Sequence, residues 1–198
     1  MPRYKIFDQR GLNYLTLTTV GWIDLFSRKA YKDIIIESLQ FCQQNKGLVI
    51  YGYVIMTNHI HLICQINQDS EHELSAVIRD FKKYTAKKFI HYLENGIESR
   101  KKWILKLFRE FGKKNTANRN YQIWTNNNHP IDLYSPKVIW QKLDYIHFNP
   151  VKAGIVINPE DYVYSSARNY SGHKGGIVLN IDLLEPFLDV GFKFYPGK

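Results

Sequence analysis

Cysteine is scarce in this chain, long apolar runs are missing, and acidic charge falls short of basic. Only Cys42 and Cys64 occur among 198 residues, both within apolar segments. Two thiols exclude a disulfide framework and a four-cysteine zinc site, which makes the cytoplasm the expected compartment. No stretch approaches the roughly eighteen apolar residues of a membrane span. The leading Met1-Pro2-Arg3-Tyr4-Lys5-Ile6-Phe7-Asp8 lacks the apolar core of a secretory signal. No membrane partner is therefore expected. Internal repeats and low-complexity tracts are also missing. Against 18 Asp and Glu stand 27 Lys and Arg, a formal net charge of +9. That excess suits a polyanionic partner, most simply nucleic acid, although a merely basic protein would carry it too.

What is present suffices for one folded unit over residues 1–198. Hydrophobic residues make up 44% of the chain and aromatic residues 15%, and aromatic rings both fill cores and stack on unpaired bases. Leu12 to Val20, with Thr16, Thr18 and Thr19 among apolar residues, reads as a strand. Ser27 reads as the cap of a helix whose stripe is Tyr31, Ile34, Ile35, Leu39 and Cys42, ending before Gly47. Leu48 to Met56 and Ile60 to Ile66 read as strands joined through Thr57-Asn58. Ser70 opens a long helix with Leu74, Val77, Ile78, Phe81 and Phe89 inside. A strand is expected at Tyr121 to Thr125, and a helix from Ser135-Pro136 to about Phe148. The order βαββαβ is that of an α+β, ferredoxin-like sandwich, an antiparallel sheet with helices on one face.

Two features lie outside that order. Residues 97–118 hold Lys101, Lys102, Lys106, Arg109, Lys113 and Lys114 around Trp103, Ile104, Leu107, Phe108 and Phe111. This is a basic amphipathic helix, open to packing on a partner chain, covering its own sheet or touching DNA. The segment after Gly154 reads as a short polar and aromatic tail of the same domain.

The chemistry-bearing motif sits in Tyr51-Gly52-Tyr53-Val54-Ile55-Met56-Thr57-Asn58-His59-Ile60-His61-Leu62-Ile63-Cys64. Side chains alternate along a strand, so His59 and His61 point one way and Ile60 and Leu62 the other. Paired imidazoles on one side of a strand can hold adjacent positions around a divalent ion. On its own this short motif also fits two ordinary histidines on a half-exposed sheet. About eighty residues later comes Trp140-Gln141-Lys142-Leu143-Asp144-Tyr145-Ile146-His147-Phe148-Asn149-Pro150-Val151-Lys152-Ala153-Gly154. It is followed by Pro159-Glu160-Asp161-Tyr162 and Ser165-Ser166-Ala167-Arg168-Asn169-Tyr170.

In combination, the His-hydrophobic-His strand and these downstream segments resemble the single-tyrosine HUH transposases of insertion sequences, and within them the REP-associated tyrosine transposases. The likeness spans about residues 10–172. It implies the same ferredoxin-like fold, Tyr145 as nucleophile, and His59, His61 and Asn149 as ligands of Mg²⁺ or Mn²⁺. It also implies nicking and rejoining of single-stranded DNA, folded into hairpins at element ends, through a 5′-phosphotyrosine link, in a bacterial cytoplasm and nucleoid. Homodimers occur in the family, so a dimer is a further expectation. Asn149 departs from the commoner Gln at its position.

Helix geometry sets residues four apart about 40° around the axis, so Asn149 can share a face with Tyr145, while Pro150 disfavours helical angles just before it. As one of 14 tyrosines, Tyr145 is singled out only by the joint pattern, and Asn149 also reads as a helix-ending cap. His147, about 200° around the helix from Tyr145, is expected to face elsewhere. For DNA phosphates the candidates are Arg79, Lys82, Lys83, Lys87 and Lys88, clustered around Tyr84, with Lys152 and Arg168 near the tyrosine motif. A solvated helix face accounts for that cluster equally well. Two other classes stay open: a non-catalytic ferredoxin-like nucleic-acid-binding protein, and a metal-dependent hydrolase in which Tyr145 is incidental.

Overall fold

Alternation of leucines with tyrosine and threonine over residues 13–18 gives the sheet two unlike faces. The structure, a computed structural model, describes residues 5–114, 120–172, 176 and 178–184. Strands β1 (Asn13–Thr18), β2 (Leu48–Ile55), β3 (His59–Ile66) and β4 (Ile131–Asp132) form one antiparallel sheet in the order β2-β3-β1-β4. Leu15 and Leu17 join Ile60, Leu62 and Cys64 in a core shared with α1 (Lys29–Lys46) and α2 (Leu74–Asn95). This is the expected βαββαβ sandwich, with α1 and α2 on one face of the sheet. Helix α1 ends where expected, on Gly47 at φ 69°, a left-handed angle that glycine adopts without a Cβ clash.

Helix α3 (Lys101–Lys113) is inserted between α2 and β4, and its Ile104, Leu105 and Phe108 enter the same core. Of the three roles open to this basic helix, its apolar side therefore covers its own domain. The last residues of the expected insertion lie outside the described residues.

The other sheet face carries Tyr14, Val54 and Ile63, packed beneath Ile139, Leu143 and Ile146 of α4 (Pro136–Lys152). Ser135 caps this helix through Val138 N (3.4 Å) and Pro136 occupies its first turn, where a missing N–H costs nothing. Gly52 lets the helix approach: a Cβ there would lie 2.8 Å from Leu143 Cδ1. Helix α4 does not stop near Phe148 but runs through Pro150 to Lys152. The end is set by Gly154 at φ 69°, with Ile155 N donating to Pro150 O (2.9 Å) and Gly154 N to Val151 O (2.9 Å). That hydrogen-bond pair is a Schellman closure. It holds the last turn despite the one bond that Pro150 cannot donate.

Three other boundaries differ from expectation. Ser27 closes a 3-10 turn and Arg28 precedes α1. Ser70 donates to Lys46 O (3.1 Å) instead of opening α2, which begins four residues later. The expected strand at Tyr121 to Thr125 makes a single bridge, Trp124 to Thr19 just past the end of β1, and regular pairing resumes only at β4. Between them His129 takes φ 42° and Pro130 has no N–H, which breaks the ladder. The segment after Gly154 pairs with β2, where Ile55 N donates to Tyr164 O and Ser166 N to Tyr53 O, both 2.9 Å. It ends in α5 (Ala167–Tyr170). Among the described residues no helix is long and apolar enough to cross a membrane.

Candidate active site

β3 pairs with β1 in a register that sets Thr16 opposite His61 and Thr18 opposite His59. The even-numbered residues of β1 thus share a face with both histidines, under α4. The imidazoles lie side by side, ring centroids 4.7 Å apart, and the Tyr145 ring stands edge-on to His61 at 5.3 Å. Tyr145 is 43% exposed, whereas His61 is 4% exposed. The structure therefore brings His59, His61 and Tyr145 together from strand and helix. Asn149 sits one turn beyond Tyr145, its Nδ2 donating to Tyr145 O (3.4 Å). It remains on the helix because α4 continues through Pro150.

Both histidine rings are fixed through Nδ1. Asn58 donates from Nδ2 to Trp22 O (3.3 Å), which leaves its Oδ1 to accept from His59 Nδ1–H at 2.6 Å. His61 Nδ1 lies 2.8 Å from Tyr14 Oη and 3.0 Å from Thr16 Oγ1. His61 Nε2 is buried and has no hydrogen-bond partner. With the proton on Nδ1, donated to a hydroxyl oxygen, Nε2 offers a bare lone pair, the state in which imidazole binds a cation. Burial pushes both imidazoles toward the neutral form. For His61, burial, His59 and Lys142 together hold the pKa down to about 3.

These observations fit a divalent ion at the two Nε2 atoms. Among the described residues, no three His, Cys, Asp or Glu side chains form a metal-holding group. A third protein ligand would therefore come from another residue type, and the Asn149 amide, one turn beyond Tyr145 on α4, is of such a type.

Tyr14, Thr16, Asn58 and Lys142 escaped the reading of the sequence. Lys142 Nζ lies 4.8 Å from the Tyr14 ring centroid. The period-two pattern Tyr14, Thr16, Thr18 was the available signal, and only the register with β3 gives it meaning. Lys152 lies beside Tyr145, its Nζ 5.6 Å from the Tyr145 ring. His147 faces away, buried, with Nε2 2.8 Å from Ser166 Oγ.

The remaining cationic candidates are elsewhere. Arg79, Lys83, Lys87 and Lys88 are exposed on the outer side of α2, with the sheet between them and the histidines. Arg79 pairs with Asp80 (3.3 Å). Lys82 turns inward, donating to Thr125 O (2.6 Å) and Asn128 Oδ1 (2.7 Å). Arg168 Nε donates to Glu160 O (2.8 Å) and so braces the turn before α5.

Comparison with known proteins bears on fold and family. A solved structure of a REP-associated tyrosine transposase bound to a REP hairpin is similar over 87% of each chain, with TM-score 0.63 and 16% identity, a likeness of fold. Another, described as a candidate transposase from Deinococcus radiodurans R1, covers 74% of this chain and 97% of its own at 14% identity and TM-score 0.37. No curated protein matches the sequence. The model of the IS200-like transposase family matches residues 23–126, just over half of the chain, a span that contains β2, both histidines and α2. By that match the chain belongs to the IS200-like transposase family.

Proposed function

We propose that this transposase nicks and rejoins single-stranded DNA through a covalent bond between Tyr145 and a 5′-phosphate. The observation that carries the reading is the exposed Tyr145 ring standing edge-on to His61, whose buried Nε2 has no partner. His59, His61 and Asn149 would hold Mg²⁺ or Mn²⁺, hard enough for an amide oxygen and compatible with imidazole. When bound, the ion supplies Lewis-acid polarisation of the scissile phosphate. Tyr145 Oη then forms the new bond to phosphorus as the bond to the 3′ oxygen breaks, and that oxygen leaves with a proton as a 3′-hydroxyl. Because the phosphotyrosine ester conserves the energy of the broken linkage, a 3′-hydroxyl can reverse the step without ATP. Lys152, its Nζ 5.6 Å from the Tyr145 ring, would meet phosphate charge. The hairpin named for the similar structure makes a hairpin-forming single strand the substrate class to try first.

The test is incubation of a labelled single-stranded hairpin library with Mn²⁺ or Mg²⁺, followed by denaturing gels, for wild type, Tyr145→Phe and His59→Ala. A covalent band that requires metal and vanishes in both variants is expected. Binding without nick or adduct for any sequence or metal would instead identify a non-catalytic DNA-binding descendant of a transposase.

A further inference from the structure

The turn that leads out of β1 is built around an unusual residue. Trp22 takes φ 53° and is 67% exposed. A left-handed backbone is rare for a bulky residue and persists only where the surroundings enforce it. They do so here. Trp22 N donates to Thr19 O (3.2 Å), Thr19 Oγ1 to Ile23 O (2.8 Å) and Thr19 N to Asn58 O (3.0 Å). Gly21, at φ 62°, fits against α3, where a Cβ would come within 3.0 Å of Phe111 Cε2. The result is a large ring held out into solvent.

Its position is tied to the candidate active site. The Trp22 ring stands 6.1 Å from that of His59 at 71°. One amide connects the two, since Asn58 accepts from His59 through Oδ1 and donates to Trp22 O through Nδ2. Phe111, the ring that meets Gly21, lies beneath Lys114, whose Nζ is 5.8 Å from the Phe111 ring. An exposed indole thus stands beside the His59 imidazole, and the glycine that precedes it in the chain meets the cationic end of a basic helix. Solvated aromatic faces bordered by cations are what unpaired bases stack on, with little sequence preference, whereas paired bases in a duplex cannot reach them.

We infer that Trp22 is a stacking platform for an unpaired base adjoining the phosphate position at His59 and His61, with the strand continuing toward the C-terminal end of α3. The inference rests on the single-stranded substrate proposed above. A fluorescently labelled single-stranded oligothymidine and an abasic chain of equal length are titrated, without metal, into wild type, Trp22→Ala, Trp22→Phe and Trp22→Gly.

Trp22→Ala is expected to weaken oligothymidine binding about tenfold, equivalent to about 1.4 kcal/mol, and Trp22→Phe to retain most of the affinity. The abasic chain is expected to bind all four proteins alike. Glycine accepts φ 53° without strain, so Trp22→Gly is expected to melt no lower than wild type while losing oligothymidine affinity as alanine does. Wild-type affinity in Trp22→Ala, or an equal loss for both oligomers, overturns the stacking role. If wild type binds neither oligomer, the single-stranded substrate itself is overturned and the inference falls with it.

Discussion

Gly52→Ala probes whether α4, and with it Tyr145, is seated by contact with a bare patch of sheet. The new Cβ would lie 2.8 Å from Leu143 Cδ1, whereas carbon atoms attract at roughly 3.5–4.0 Å, so the two must part by roughly 0.7 Å or more. Leu143 is fully buried among Ile139, Ile146 and Ile63, so its methyl group turns only against packed neighbours, and either that side chain or α4 must shift. Overpacking of this kind costs about 1–3 kcal/mol. Leu143→Ala alone opens a cavity and costs about 2–5 kcal/mol. In the double variant the alanine methyl occupies space that the leucine vacated. Its loss of stability is expected to fall short of the sum of the single losses by about 1 kcal/mol or more.

Denaturant unfolding of the four proteins, followed by circular dichroism, measures this coupling. A displacement near 1 Å at a reacting group can cost about a hundredfold in rate. Gly52→Ala is therefore also expected to lose Tyr145–DNA adduct at temperatures where it is fully folded, and Leu143→Ala to restore part of it. Additivity of the two stability losses within about 0.5 kcal/mol would refute the claim that Gly52 sets the height of α4 over the sheet.

The Tyr14→Phe, Thr16→Ala double variant removes both oxygens that meet His61 Nδ1, and Mn²⁺ affinity by titration calorimetry is expected to fall about 10–100-fold. Unchanged affinity would refute the assigned tautomer. Burial holds Lys82 down to about 8, below the ordinary 10.5, so between those pH values the unfolded chain binds more protons than the folded one. Stability relative to Lys82→Arg, which stays charged, is therefore expected to rise with pH through that window, by up to about 1 kcal/mol per pH unit. A pH-independent difference in denaturant midpoints would show that the Lys82 ammonium is solvated in the fold.

How much of this was legible in the sequence depended on whether a feature is local. The period-two alternation of His59, Ile60, His61 and Leu62 is fixed by the strand itself, and the structure keeps it. The spacing of Tyr145 and Asn149 is a property of the helix, but its survival depends on the Schellman closure at Gly154 overcoming Pro150, which neighbour rules weigh too heavily. The broken edge at Tyr121 to Thr125 was missed because the apolar pattern there is strand-like while His129 and Pro130 lie beyond it. Periodicity cannot tell which sheet face a helix covers. The signal for α4 was Gly52, a residue without a side chain in the middle of a buried strand. Lys82 read as one of a cationic cluster because nothing in a helical face reveals a backbone carbonyl brought beside it from 43 residues away.

The sheet also divides the charge of the chain by function. The cations of α2 lie behind the layer that carries His59 and His61, and screening in physiological salt confines their field to about 8 Å. On the proposed reading, a phosphate at the two imidazoles would be met by Lys142 and Lys152 from α4, which lie over the Tyr14 and Tyr145 rings. This assigns unequal weights to charges that look alike in sequence. On that reading, removing Lys152 would act beside Tyr145, whereas removing Lys87 or Lys88 would change only the diffuse attraction of a polyanion to a chain of net charge +9. The apolar side of the amphipathic α3 completes the core under the sheet, while Phe111 near its C-terminal end meets the turn at Gly21, one residue before Trp22.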